Sequence, residues 1–282
     1  MDNLMAVELE HEKKVLSEFL RSIGDWNKHI IIGGGYALVI YKLYLAAGKT
    51  AYPPVGTTDL DSLIPRKITG SPAKDLSKHL TEAGFKLIFR DLQTPPTEVY
   101  RKKVNGLEID IEFLTDDAVR NNKNTNVSVA GIIAQPLSYL KLSLQNGIPF
   151  TTSTHETGFV VSPGTWMFHK GLTFPKRPRK TKAYKDLYGI WYAGSQLGSF
   201  SQQAEQELAV LSLQHATWFD TFQNNLTNWL SEATPEDWSH LQDQDPFDQL
   251  TKPGFEYFVQ DLLKNIEAVR KDLNFYKILT VR

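Results

Sequence analysis

The stretch His29-Ile30-Ile31-Ile32-Gly33-Gly34-Gly35-Tyr36-Ala37-Leu38 decides the fold. Its isoleucines read as a short buried strand, its glycines break that strand, and the chain from Tyr36 to Ala47 is helix-prone. Strand, glycine turn and helix in that order bring backbone N–H groups close to whatever binds at the turn, an arrangement that suits phosphate. A plain connection between two elements has the same signature. The spacing matches neither GxGxxG nor GxxxxGK[ST], so neither a Rossmann site nor a P-loop is expected.

Downstream, past a Pro-rich loop at Tyr52 to Gly56, the segment Thr58-Asp59-Leu60-Asp61-Ser62-Leu63-Ile64 alternates polar and apolar until Pro65 stops it. Asp59 and Asp61 therefore project from one face of a strand while Leu60 points to the core. Two hard oxygen ligands converging in this way suit Mg²⁺, although an isolated pair also reads as two solvated acids. A second acidic set lies in Leu107 to Phe113, where Glu108, Asp110 and Glu112 share a strand face opposite Ile109, Ile111 and Phe113. Asp110 or Glu112 would complete a three-carboxylate site for two metal ions about 3.5–4 Å apart. Ordinary alternation of apolar and polar residues explains the strand equally well.

Around these motifs, Val7 to Ile23 is predicted as an amphipathic helix ended by Gly24, and Ser71 with Pro72 opens a helix to Ala83, closed by Gly84. Strands are predicted over 85–90, 98–104 and 107–113, the last two joined by an Asn105-Gly106 type I′ hairpin, and over 127–134. Beyond Gln135 the pattern is mainly helical, with segments at 136–145, 163–172, 180–193, 202–230, 235–241 and 253–273. The fold class is α+β: a small mixed sheet flanked by helices over residues 1–134, then a mostly helical half over 135–282. That half carries Lys170, Lys176, Arg177, Arg179, Lys180, Lys182 and Lys185, a concentration of positive charge suited to phosphates or to simple solvation. The aromatics Trp218, Phe219, Phe222 and Trp229 read as core, or else as a partner surface.

The 282 residues are 41% hydrophobic and 22% charged, with a net charge of −1, which is the composition of an ordered protein and not of a globally basic nucleic-acid binder. The absence of cysteine removes thiolate nucleophiles, disulfides and cysteine zinc sites. No HExxH or GxSxG appears, which disfavours zinc hydrolases and serine esterases. The opening MDNLMAVELEHEKK contains no apolar run, so no signal or membrane anchor is expected and the cytoplasm is the default location.

Taken in order, IIIGGGYAL, TTDLDSLI, LEIDIEF, Lys170 and KDLYGIWYA resemble the DNA polymerase β-like nucleotidyltransferase superfamily, and within it most closely the AbiEii-type toxins of bacterial abortive-infection and toxin-antitoxin systems. The resemblance covers about residues 28 to 195. It implies a polymerase β-like core with a helical half completing the active-site cleft, and transfer of an NMP from an NTP to an acceptor hydroxyl with Mg²⁺ or Mn²⁺. It implies tRNA as the acceptor and a cognate antitoxin as partner, with aminoglycoside, small-molecule or protein acceptors, or a catalytically idle nucleotide- or RNA-binding module, as alternatives. By position it makes Asp59, Asp61 and Asp110 metal-binding and catalytic, Asp186 catalytic, and Gly34, Gly35, Thr58 and Lys170 nucleotide-binding. Gly35 stands where many members have serine, and Gly189 where the family has a second aspartate.

Overall fold

The structure is a computed structural model that describes residues 2–46, 52–91, 94–117 and 125–280. The chain divides into two compact units, Met1–Tyr44 with Gly56–Ser162, and Leu45–Val55 with Pro163–Arg282.

The first unit opens with helix α1 (Asp2–Ile23), whose Val15, Leu16, Phe19, Leu20 and Ile23 are buried at helical spacing. Gly24, at φ +54°, ends it. Then come β1 (Ile31–Ile32), α2 (Gly34–Ile40), which continues as a short π-helix through Leu45, β2 (Asp59–Leu63), α3 (Leu76–Glu82), β3 (Lys86–Phe89), β4 (Glu98–Val104) and β5 (Leu107–Asp116). The expected helix over Tyr36 to Ala47 is thus present up to Leu45, and Ala47 lies outside the described residues. Asn105 and Gly106 both have positive φ, 52° and 84°, as the type I′ turn between β4 and β5 requires. The unit is completed by β6 (Val127–Val129), β7 (Ile132–Leu137), α4 (Leu140–Gln145), β8 (Gly147–Thr151) and β9 (Thr157–Val161).

Among the described residues, nine strands form a mixed sheet in the order β3-β4-β5-β2-β1-β9-β8, with β7 pairing to β5 and β6 to β7. β2 and β5 are parallel and β4 and β5 antiparallel. Leu60, Ile109, Ile111 and Phe113 are buried on one face of the central strands. That face turns the acids of β2 and β5 to the other side.

Several elements differ from their sequence reading. The single strand over 127–134 is a hairpin turned at Ala130 and Gly131, both at positive φ. Pro136 and Leu137 belong to β7, so the helix expected from Pro136 begins only at Leu140. Likewise α3 begins at Leu76, whose N–H donates to the carbonyl of Ala130, and leaves Ser71 and Pro72 outside. The sheet unit also continues past the expected boundary at 134/135 to Ser162, because β9 pairs parallel with β1 and β8 with β9. β8 contains Pro149, tolerable at a sheet edge, and β9 contains Gly158, where a Cβ would lie 2.7 Å from Leu20; both blur the strand signal.

The second unit is helical: α5 (Pro163–Thr173), α6 (Lys180–Ser195), α7 (Ser199–Gln214), α8 (Ala216–Glu232), α9 (Pro235–Gln242) and α10 (Lys252–Thr280). α5 packs on α6, α7 and α8. The helix expected over 202–230 is two helices, interrupted at His215 (φ −132°, ψ 54°). Phe219 and Phe222 are buried, and Trp229 meets Trp238 and Phe255 edge-to-face at 4.7 and 5.5 Å, so this aromatic set is largely core. Among the described residues no helix is long and apolar enough to cross a membrane.

Candidate active site

The glycine turn and the acid pair are locked to each other by backbone contact. The Gly33 N–H donates to the carbonyl of Asp61 at 2.8 Å, and Gly33 caps α2. Gly34 has φ +55°, and a Cβ built there would stand 1.9 Å from a carboxylate oxygen of Asp61. Only glycine supplies both that conformation and that closeness. A Cβ at Gly35 would meet the Thr57 side chain at 2.9 Å, so the hydroxyl beside the turn is that of Thr57. Thr58, the residue expected there, is exposed, and its carbonyl accepts from the Asp110 N–H at 3.2 Å.

Strand register gathers the acids. Asp59 lies opposite Asp110 and Asp61 opposite Glu112 across the parallel β2–β5 pair. Like charges placed directly opposite repel unless a cation intervenes, and two arginines do so. Arg101 faces Asp110 across the β4–β5 hairpin and grips it bidentately, Nε to Oδ1 at 2.7 Å and Nη2 to Oδ2 at 2.8 Å. Arg90, just beyond β3, donates from Nη2 to Asp110 at 2.6 Å and from Nη1 to Glu112. The Arg101 guanidinium beside Asp110 holds its carboxyl below the usual carboxylate range, against the opposing effect of burial and with help from Arg90. Tyr36, the first residue after the glycines, is buried, and burial, with the charges of Glu12 and Asp59, pushes its hydroxyl up.

Asp59 and Asp61 fit a hard divalent cation, being two carboxylates on one strand face beside a backbone turn. Asp110, the third acid expected, has both of its oxygens engaged by arginines. Among the described residues no group of three or more His, Asp or Glu side chains is arranged to hold a metal ion. Sequence reading passed over Arg90 and Arg101. Arg101 was detectable, since counting back from a two-residue Asn-Gly turn pairs 101 with 110; Arg90 gave no such signal.

In the helical unit the structure brings Lys170 and Asp186 together, with Nζ to Oδ1 at 2.8 Å, and adds Arg177, with Nε to Oδ2 at 2.6 Å. Lys170 and Asp186 are only 9% and 6% exposed, and Lys170 also lies over the Trp166 ring at 5.4 Å. Burial opposes the charge on Asp186, but Lys170 and Arg177 outweigh it and hold the carboxyl below its ordinary value. Two cations of the basic stretch thus serve one buried anion, and Lys180 lies 3.5 Å from Asp237.

No family model matches the chain, and no curated protein matches it in sequence. Among solved structures, the chain resembles JHP933 from Helicobacter pylori at 14% identity, over 95% of this chain and 97% of that one, with a TM-score of 0.51. A nucleotidyltransferase-like antigenic protein from Paracoccidioides brasiliensis aligns over 76% of this chain and 93% of its own at 15% identity, with a lower TM-score of 0.41. The likeness to JHP933 shows the fold alone: an α+β architecture with a mixed sheet followed by a helical half.

Proposed function

We propose that this protein is a nucleotidyltransferase that moves a nucleoside monophosphate from an NTP to an acceptor hydroxyl, with tRNA as the acceptor, in the manner of AbiEii-like toxins. The observation that carries this reading is the contact of Gly34 with the Asp61 carboxylate, which fastens a phosphate-compatible backbone turn to the Asp59/Asp61 strand. Asp59 and Asp61 would hold Mg²⁺ or Mn²⁺, and the ion would neutralise triphosphate charge and steady the leaving group. The turn at Gly34 and Gly35 offers backbone N–H groups to the nucleotide phosphates, and Arg101 fixes Asp110 in place beside Asp59.

The experiment is a survey of all four labelled NTPs with Mg²⁺ against bulk tRNA and cell lysate, comparing the native protein with Asp59→Ala. The expected result is label on tRNA that falls on the order of a hundredfold or more in the variant. Failure to label any acceptor in an Asp59-dependent way rejects the activity, and label on protein or small molecules instead reassigns the acceptor. Lys170→Met in the same assay measures whether the helical unit's buried pair contributes. The toxin reading further expects expression to arrest growth, Asp61→Ala to relieve the arrest, and a cognate antitoxin to restrain it.

A second reading, an idle nucleotide- or RNA-binding module, is favoured by one observation: the engagement of Asp110 by two arginines. It expects ATP or GTP to bind without turnover, unaffected by Asp110→Asn.

A further inference from the structure

The two arginines at the acid cluster are placed by different means. Arg101 follows from hairpin register, and its ion pairs, to Asp110 and to Glu108 at 3.4 Å, stay within β4 and β5. Arg90 lies beyond the end of β3, where its N–H donates to the Thr97 carbonyl at 3.0 Å. From there its guanidinium reaches acids of both parallel strands: Asp110 at 2.6 Å and Glu112 on β5, and Asp59 of β2 at 3.9 Å. It therefore supplies positive charge at the place where the opposed acids repel most, beside the one face that also carries the Asp59/Asp61 pair.

A divalent cation held by Asp59 would meet the same field. With Arg90 in place, the ion faces a fixed positive charge a few ångströms away and acids that are already compensated; with Arg90 displaced or removed, Asp110 keeps Arg101 but more of the cluster's negative charge acts on the ion. We propose that Arg90 is a built-in counter-cation of the acid cluster, a positioning residue that competes with divalent metal for these carboxylates and must yield toward solvent when metal binds. This rests on the metal-dependent reading given above. It adds that the acid cluster is charge-compensated from within, so that metal occupancy depends on how readily one arginine lets go.

The test is a Mn²⁺ titration of the full chain, followed by the electron paramagnetic resonance signal of free aquo-Mn²⁺, for the wild type, Arg90→Gln, Arg90→Lys and Lys103→Gln. Lys103 is exposed on the same hairpin, opposite Glu108. Arg90→Gln should bind Mn²⁺ on the order of tenfold more tightly than wild type, Arg90→Lys should stay near wild type, and Lys103→Gln, which removes an equal charge without touching Asp59, Asp110 or Glu112, should change affinity less than about twofold. An Arg90→Gln affinity no tighter than that of Lys103→Gln overturns the proposal. A measurement on the native chain needs no variant to fold: Mn²⁺ should increase modification of Arg90 by an arginine-selective dicarbonyl, read by peptide mass spectrometry, and an unchanged or reduced yield also overturns it. Wild type that binds Mn²⁺ and labels an acceptor while Arg90→Gln binds no better defeats this inference alone. No Mn²⁺ binding by any form, even with NTP present, defeats the metal-dependent reading with it.

Discussion

The sheet unit and the helical unit each gather charged side chains, by opposite means. In the sheet unit, Asp59, Asp61, Asp110 and Glu112 share one face because alternate residues on paired strands must do so; Asp59 stays about half exposed, while the more buried Asp110 and Glu112 are met by arginines as counter-charges. In the helical unit, Lys170 of α5 and Asp186 of α6 meet because two helices pack together, and the pair is sealed from water with Arg177 at its edge. A cluster built by register can present charge to a ligand. A cluster built by packing spends most of its charge on itself, since each buried ion needs its partner.

The largest effect is expected at Asp186. Asp186→Ala leaves Lys170 buried without its anion and is expected to cost about 3–5 kcal/mol of stability, measured by urea denaturation of the whole chain. A loss under about 1 kcal/mol would mean that the pair behaves as an exposed one, and the distinction between the units would fall.

The corresponding change in the sheet unit is Gly34→Ala. A non-glycine residue at φ +55° costs about 1–2 kcal/mol, and its methyl must displace the Asp61 carboxylate. The proposed nucleotidyl transfer is therefore expected to fall far more than stability does, by roughly a hundredfold. Equal thermal and catalytic penalties would instead make the turn a structural feature only.

A smaller effect lies at the hairpin of β8 and β9. Burial would raise the Glu156 carboxyl, but hydrogen bonds from Thr152, Thr154 and Arg21 pull it down to about 2. Because its folded value is depressed, its contribution to stability is complete above its ordinary value of 4.5 and is lost as pH falls toward about 2. Glu156→Gln should lower stability at neutral pH and flatten the stability profile between those values; a profile as steep as wild type would assign the acid sensitivity to other carboxylates.

The legible parts share a physical cause. Glycines, Asn105-Gly106 and the alternation in 59–63 and 107–113 are local signals, and each encodes a backbone state or a face that needs no distant partner. The Gly34 turn, the acid pair and the apolar backs of β2 and β5 were therefore readable. β8 and β9 were not, because their short runs carry Pro149 and Gly158 and become strands only as β9 pairs with β1 and β8 with β9. The division of 202–230 at His215 was equally hidden, since no glycine or proline marks it.

By itself, the sequence determined which backbone turns and which strand faces exist, and hence that Asp59 and Asp61 stand together behind a glycine turn. Only tertiary structure decided what those acids meet. Arg90 comes to Asp59, Asp110 and Glu112 from beyond a neighbouring strand's end, and Lys170 is claimed by Asp186 across a helix interface. Charge compensation acts through space over a few ångströms and is indifferent to separation along the chain, so it is settled by the packing that brings distant segments together.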